Sequence, residues 1–431
     1  MRALIAALLV LLAAPAWAQT PPAAPDPSLV ARAKELVGVI AGTGDFDGYF
    51  APGFHAALPK AKWDAVIASV TASMGKPVSI ASLTATNPWT ALLRVRFQRG
   101  IVNAQIAIDP VAPHRVTGLL FSGAEVVGDT FDKLAADFRA LPGASGFGVY
   151  MLGDGAPVLV AGVNPDQAAP LGSAFKLWVL GEAAREVTAG ERKWTDVLPV
   201  GRASLPSGIL QAWPPGSPVT LQTLATLMIS ISDNTATDTL VTLEGPRLDR
   251  FVADAGAADL APVLTTRQMF AMKSTASADL AAAWTKAPPG DRRKLLDASA
   301  ARLAATPIDV TMFASGKPVA IDTLEWFASP AQTAGILDWL RTKGGSTALA
   351  VLAVNPGTDL ATRARFDYVG FKGGSEPGVV TLNFLVKRKD GRWLAIAANW
   401  HRADAAVDAN MLAQLANRAL VLAATATVPA T

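Results

Sequence analysis

Apolar positions fall into two successive patterns along the chain. Leu29, Ala33, Leu36, Val37 and Ile40 recur at helical spacing, and Gly42-Thr43-Gly44-Asp45 ends that run. A second helix is predicted over Ala61–Ser73. Strands follow over Val78–Thr84, Thr90–Phe97, Asn103–Ile108 and Val116–Phe121. Helices leading into an antiparallel sheet make an α+β unit. Phe131–Ala140 reads as a short amphipathic helix. Beyond it, Gly148–Leu152 and Pro157–Ala161 predict a hairpin around Gly153-Asp154-Gly155. A long, mostly helical middle runs from Ser173 to about Lys343. Strands return over Asp367–Phe371, Val379–Lys387 and Trp393–Trp400, and a last helix covers Ala403–Leu422. That order predicts an antiparallel sheet flanked by helices, with an all-helical subdomain. No internal repeat is visible.

Composition narrows the functional classes. Hydrophobic residues make up 51% of the 431 positions and charged ones 17%, enough apolar material for more than one core. The formal charge is only +3 and no dense Lys/Arg run occurs, which argues against a nucleic-acid partner. The absence of cysteine removes disulfides, thiol nucleophiles and thiolate metal sites. The three histidines, His55, His114 and His401, are far apart, so a His-based metal centre is not expected and no cofactor is called for.

The chain begins with Met1-Arg2, an apolar run over Ala3–Ala14, and Ala16-Trp17-Ala18, a small-x-small cleavage pattern. Residues 1–18 are therefore expected to be an export signal, with a periplasmic or secreted product and no stable membrane anchor. Residues 19–27 read as a Pro/Ala linker. The remaining divisions predicted are a first domain at 28–124, a linking helix within 125–145, a second domain at 146–422 and a frayed tail at 423–431. The first domain has the order of a cystatin-like or steroid-isomerase-like cone.

Three short segments carry candidate chemistry. Ser173-Ala-Phe-Lys176 would place a hydroxyl and an amine on one helical face, where a Lys of depressed pKa can act as base. Taken alone, SxxK is common by chance. Ser232-Asp233-Asn234 lies on a turn between two predicted helices; its plainer role is a helix N-cap. Phe371-Lys372-Gly373-Gly374-Ser375 follows a strand-like run. It is either a hairpin turn with a solvated Lys or a strand that presents a cation to a substrate carboxylate.

Their order, spacing and setting resemble the penicillin-recognising serine enzymes. The region from Gly146 to Leu422 resembles class A β-lactamases and their penicillin-binding relatives. Within them it is most similar to the class A-like proteins found with clavulanic-acid biosynthesis genes, which carry a steroid-isomerase-like N-terminal domain. The resemblance implies an α+β, β-lactamase/transpeptidase-like second domain. It implies Ser173 as acylated nucleophile, Lys176 as base or proton relay, and Ser232 as the group that passes a proton to the leaving atom. Asn234, Lys372, Gly374 and Ser375 would bind substrate, and the Ser173 and Ser375 N–H groups would form an oxyanion hole.

Two departures qualify the expected activity. Gly373 stands where the family usually has Ser or Thr. The stretch Leu264-Thr-Thr-Arg-Gln-Met269 lacks the ExxLN glutamate that activates the deacylating water. Weak β-lactam turnover is therefore expected, with esterase activity on less hindered acyl groups. The substrate would be a small ester or amide, a β-lactam or a cell-wall peptide. Two other roles stay open: a D,D-peptidase, or a binding or sensor protein that stays acylated. Among other carboxylates, Glu376 either reaches the cleft, directly after the third motif, or is a turn residue before Pro377-Gly378, the plainer reading; Glu244 reads as a surface turn and Glu325 as a solvent-facing group. A Ser173–His401 dyad is a remote alternative. Trp178, Trp213, Trp326 and Trp339 are expected mainly as core anchors.

Overall fold

The computed structural model describes residues 24–308 and 311–426. The segment expected to be an export signal and most of the 19–27 linker lie outside the described residues. The chain divides into two units after Ser122.

In the first unit, helix α1 (Pro27–Ile40) starts at Asp26, whose side chain accepts from Ser28 N at 2.8 Å, with Pro27 at the first helical position. It buries Leu29, Ala33, Leu36, Val39 and Ile40 on one stripe. Helix α2 (Lys60–Met74) follows. Strands β1 (Pro77–Asn87), β2 (Thr90–Phe97), β3 (Gly100–Ile108) and β4 (Val116–Val126) form an antiparallel sheet in sequence order. Along β2, Ala91, Leu93, Val95 and Phe97 point inward at period two. Every predicted strand is present, and β4 runs past its expected end at Phe121.

The second unit begins with helix α3 (Phe131–Arg139), capped by Thr130, whose side chain accepts from Lys133 N at 3.2 Å. Strands β5 (Ala144–Leu152) and β6 (Val158–Val163) pair as a hairpin. Strands β7 (Phe366–Glu376), β8 (Val379–Arg388) and β9 (Trp393–His401) complete a five-stranded antiparallel sheet of order β7-β8-β9-β5-β6. Both faces are covered, so the central strands are buried along most of their length and mainly apolar, with Thr381, Asn383 and Asn399 as buried polar exceptions. Phe147, Val149, Ile396 and Ala398 pack towards α3 and the final helix α13 (Ala409–Thr425). Tyr150, Leu152, Leu385 and Ala395 join the helical core on the other side.

That helical core is built around α4 (Lys176–Thr188), which is buried over most of its circumference. Around it lie α5 (Leu221–Ser230), α6 (Asn234–Glu244), α7 (Pro246–Asp254), α8 (Thr266–Lys273), α9 (Ala278–Lys286), α10 (Pro289–Ala305), α11 (Pro330–Lys343) and α12 (Gly345–Leu352). The second domain thus has the expected architecture, an antiparallel sheet flanked by helices plus a helical subdomain. No helix among the described residues is long and apolar enough to cross a membrane.

Of the two readings of the Lys372–Ser375 segment, the strand is the one found: it is part of the eleven-residue strand β7. Two expectations about the end of the chain need correction. The last helix starts at Ala409 instead of Ala403, because Asp408 caps it with bonds from Asn410 N and Met411 N. It continues to Thr425 with Ala423 buried, so the expected frayed tail does not begin at 423.

Candidate functional site

The nucleophile candidate sits at the entrance to α4. Gly172–Phe175 forms a 3₁₀ turn directly before the helix. Ser173 thus lies one tight turn ahead of Lys176, the first residue of the helix. Gly172 is required here: its φ is +48°, and an added Cβ would come within 3.0 Å of Ser375 N. The turn is fastened from several directions. Leu171 N donates to Trp326 O at 2.8 Å, and Thr381 Oγ1 donates to Leu171 O at 3.0 Å. Gly172 N donates to Glu325 Oε2 at 3.2 Å. Phe175 stacks on Trp326 with ring centres 3.9 Å apart. Ser173 itself is only half-buried.

Lys176 is fully buried. Its amine donates to Asn234 Oδ1 at 2.7 Å, Ser232 O at 2.9 Å and Ser232 Oγ at 3.0 Å. The structure thus turns the Lys176 amine to the Ser232–Asn234 turn, and no Lys176–Ser173 hydrogen bond occurs among the described residues. Burial, and then the nearby Lys372 ammonium, hold the Lys176 pKa well below the usual lysine value.

Ser232-Asp233-Asn234 combines both roles considered for it. Asp233 caps α6, accepting from Ala236 N at 2.8 Å, and its other oxygen accepts from Ile209 N and Leu210 N at 2.7 and 2.9 Å. Ser232 has a φ of +59°, uncommon for a residue with a Cβ. Its carbonyl also accepts from Ser207 Oγ at 2.7 Å. Asn234 Nδ2 donates to Leu205 O at 3.0 Å, which fixes its oxygen towards Lys176.

Lys372 is buried, not solvated. Its amine donates to Gly373 O at 2.6 Å and Ser232 Oγ at 3.2 Å. Burial pushes its pKa down to about 7. Ser232 Oγ therefore lies between two amines, one from a helix and one from the sheet. Gly374 presses against the nucleophile turn: a Cβ there would overlap Leu171 O and lie 2.7 Å from Ser173 N. Ser375 is exposed. A side chain at Gly373 would meet the Phe371 ring at 2.9 Å, a physical reason for the absent hydroxyl. The structure thus brings Lys176, Ser232, Asn234 and Lys372 into one bonded group. Gly374 and Ser375 lie against the Gly172–Ser173 turn.

The other carboxylates are not where turn chemistry put them. Glu325 and Glu376 are buried, and both accept from Lys273 Nζ, at 3.1 and 2.5 Å. Glu376 ends β7, and burial, then the Glu325 charge, push its pKa up to about 9. Glu244 is 1% exposed, and neither carboxylate oxygen has a partner among the described residues. Lys273 was missed altogether; its sequence signal is a charge at the end of a helix whose Met269, Phe270 and Met272 are all buried. Asp238 was also missed. It accepts from Thr266 N at 2.6 Å and Arg267 N at 2.9 Å, and so holds the stretch that lacks the expected glutamate.

His401 closes β9, with Nδ1 buried and unpartnered and its pKa lowered by burial. No bond joins it to Ser173 among the described residues. His55 and His114 bond to the Asp47 and Asp109 carbonyls in the first unit. Trp178 and Trp326 are buried and Trp339 packs edge-on against Phe251, whereas Trp213 is 43% exposed.

The unit can be compared with solved structures. A β-lactamase from Sphaerobacter thermophilus is 22% identical, covering 69% of this chain and 97% of its own, with a TM-score of 0.47. PBP-A is 18% identical, covering 68% and 94%, with a TM-score of 0.45. A β-lactamase from Xanthomonas campestris is 20% identical, covering 68% and 96%, with a TM-score of 0.45. No curated protein matches the chain. Over residues 129–307, the stretch that holds Ser173, Lys176 and the Ser232–Asn234 turn, the chain matches the model of the Beta-lactamase enzyme family.

Proposed function

We propose that the second unit is a serine hydrolase that works through an acyl-enzyme on Ser173. The observation that carries this reading is the fully buried Lys176 amine, bonded to Asn234 and Ser232 and held below its usual pKa. As a neutral amine it takes the Ser173 hydroxyl proton while Oγ bonds to the substrate carbonyl carbon. The oxyanion forms against the Ser173 and Ser375 N–H groups. Its collapse breaks the bond to the leaving nitrogen or oxygen. The leaving atom takes its proton from the Lys176 ammonium by way of the Ser232 hydroxyl, which leaves the amine neutral again. Lys372 holds a substrate carboxylate, and Asn234 and Gly374 shape the cleft around the scissile bond.

Deacylation is the weak step. No carboxylate lies in Leu264–Met269, and Asp238 is engaged by the backbone there. A bulky penicilloyl ester is therefore slow to leave, while small acyl esters turn over. The N-terminal order of helices and sheet supports kinship with the clavulanic-acid-cluster proteins and a steroid-isomerase-like first domain. The first eighteen residues support export to the periplasm or beyond.

The test is mass spectrometry after addition of benzylpenicillin, alongside hydrolysis of p-nitrophenyl acetate, on the wild type and Ser173→Ala. A penicilloyl adduct on Ser173 with ester turnover, both lost in Ser173→Ala, is expected. Rapid penicillin turnover with no trapped adduct would remove the slow-deacylation reading. Unchanged ester turnover in Ser173→Ala would remove Ser173 as nucleophile. Release of D-Ala from a cell-wall peptide would favour the peptidase reading.

A further inference from the structure

Three titratable side chains outside the Lys176–Ser232–Lys372 group meet behind the nucleophile turn. Lys273 ends α8, Glu325 precedes the two-residue strand Phe327–Ala328, and Glu376 ends β7. Their side chains are 1%, 1% and 7% exposed. Lys273 Nζ donates to Glu325 Oε1 at 3.1 Å and Glu376 Oε1 at 2.5 Å. The second Glu325 oxygen accepts from Gly172 N at 3.2 Å and Trp326 N at 3.1 Å.

We propose that Lys273, Glu325 and Glu376 form a brace that sets the separation of the Ser173 and Ser375 N–H groups. The proposal rests on the acyl-enzyme reading for its catalytic meaning. One arm of the brace runs through Glu325 to Gly172 N, the residue before Ser173. The other runs through Glu376, the residue after Ser375. One buried amine joins both arms. The segments it joins already touch, since a Cβ at Gly172 would reach Ser375 N at 3.0 Å.

Charge accounting agrees with a structural brace. Burial, then the Glu325 charge, raise the Glu376 pKa, while Lys273, against the lowering effect of its burial, is raised by the Glu325 and Glu376 carboxyls. One buried amine therefore faces two buried carboxyls. A buried cation left alone would be strongly unfavourable. These are positioning residues: an oxyanion hole depends on donors placed to within a fraction of an ångström.

The split between two variants at one position tests this. Glu376→Gln keeps an acceptor for Lys273 at nearly the same size and removes only the ionisable group. Glu376→Ala removes that arm but leaves the Lys273–Glu325 pair balanced, so folding should survive. Acylation of the full chain by a fluorescent penicillin is followed by rapid mixing, to separate prior binding from the limiting rate. Glu376→Ala should lower the limiting rate about 10- to 100-fold with binding changed less than about 2-fold, and Glu376→Gln should stay within about 3-fold of wild type. A wild-type rate in Glu376→Ala overturns the proposal. So does a Glu376→Gln variant as slow as Glu376→Ala, which would make the carboxyl itself the active group.

Hydrogen exchange supplies a readout that needs no acylation. In Glu376→Ala and Lys273→Met, exchange should quicken in the peptides spanning 169–176 and 371–380 together. Loosening of the second alone overturns the brace. Should the wild type prove unreactive at Ser173, the acyl-enzyme reading falls, and the exchange pattern still decides whether the two segments are braced.

Discussion

Ser232 Oγ lies 3.0 Å from Lys176 Nζ, with the Lys372 amine 3.2 Å away on its other side. A hydroxyl in that position can hand a proton from one amine to a leaving group. Ser232→Ala should keep the fold and lower the acylation rate about 10²- to 10⁴-fold, within the usual contribution of a positioned acid or base. Acylation kinetics with the fluorescent penicillin check this. A loss below about 3-fold would remove Ser232 from the proton route.

Lys372 gives the proposed hydrolase a pH signature. With a pKa pushed down to about 7, it is increasingly neutral above that pH and binds a carboxylate less well. The ratio of kcat/KM for a carboxylate-bearing ester to that for a neutral ester should fall as pH rises above 7. The ratio cancels any titration of Lys176. Lys372→Met should flatten it.

The same residue costs stability. Between about 7 and the ordinary lysine value the unfolded chain binds the proton that the folded chain lacks, so stability rises with pH across that window. Lys372→Met should raise Tm most below pH 7, where the buried amine is fully charged. Thermal unfolding at several pH values reads this directly.

Glu244 makes a converse prediction. Burial and the Glu182 and Glu186 charges push its pKa well above the usual carboxylate range. The folded state keeps a proton that the unfolded chain releases, so this stability contribution is present at low pH and is lost as pH rises. Glu244→Gln should match the wild type near pH 4 and exceed its Tm by a margin that widens upward from pH 5.

Gly374→Ala tests the close approach of β7 to the nucleophile turn. Its Cβ has no room against Leu171 O and Ser173 N. The variant should lose about 1–3 kcal/mol of stability and nearly all acylation. Chemical denaturation and the penicillin adduct measure the two effects.

The motif residues and the element types were legible because they are local. Ser173 and Lys176 are one turn apart, and the break between α5 and α6 is marked by Ser232-Asp233-Asn234 itself. The brace was not legible, because Lys273, Glu325 and Glu376 come from three elements far apart in sequence and no spacing rule links them. Glu376 precedes Pro377-Gly378 and Glu244 precedes Gly245-Pro246, so turn chemistry pointed both to solvent. Tertiary packing decided otherwise: Glu376 ends a sheet strand over Lys273, and Glu244 is the last residue of α6 and faces the protein interior. For Lys372 the two glycines that follow it left turn and strand equally open, and only the sheet pairing decides for the strand. Those glycines instead let strand β7 run flat against the turn beneath it.

The backbone at Ser232 has a bearing on how such a protein can diverge. On the proposed proton route the position needs an oxygen, and its turn needs a left-handed φ. Glycine would suit the second demand and fail the first, and threonine would do the reverse. Neutral drift at this codon is therefore nearly closed, and new specificities must arise by changing its neighbours.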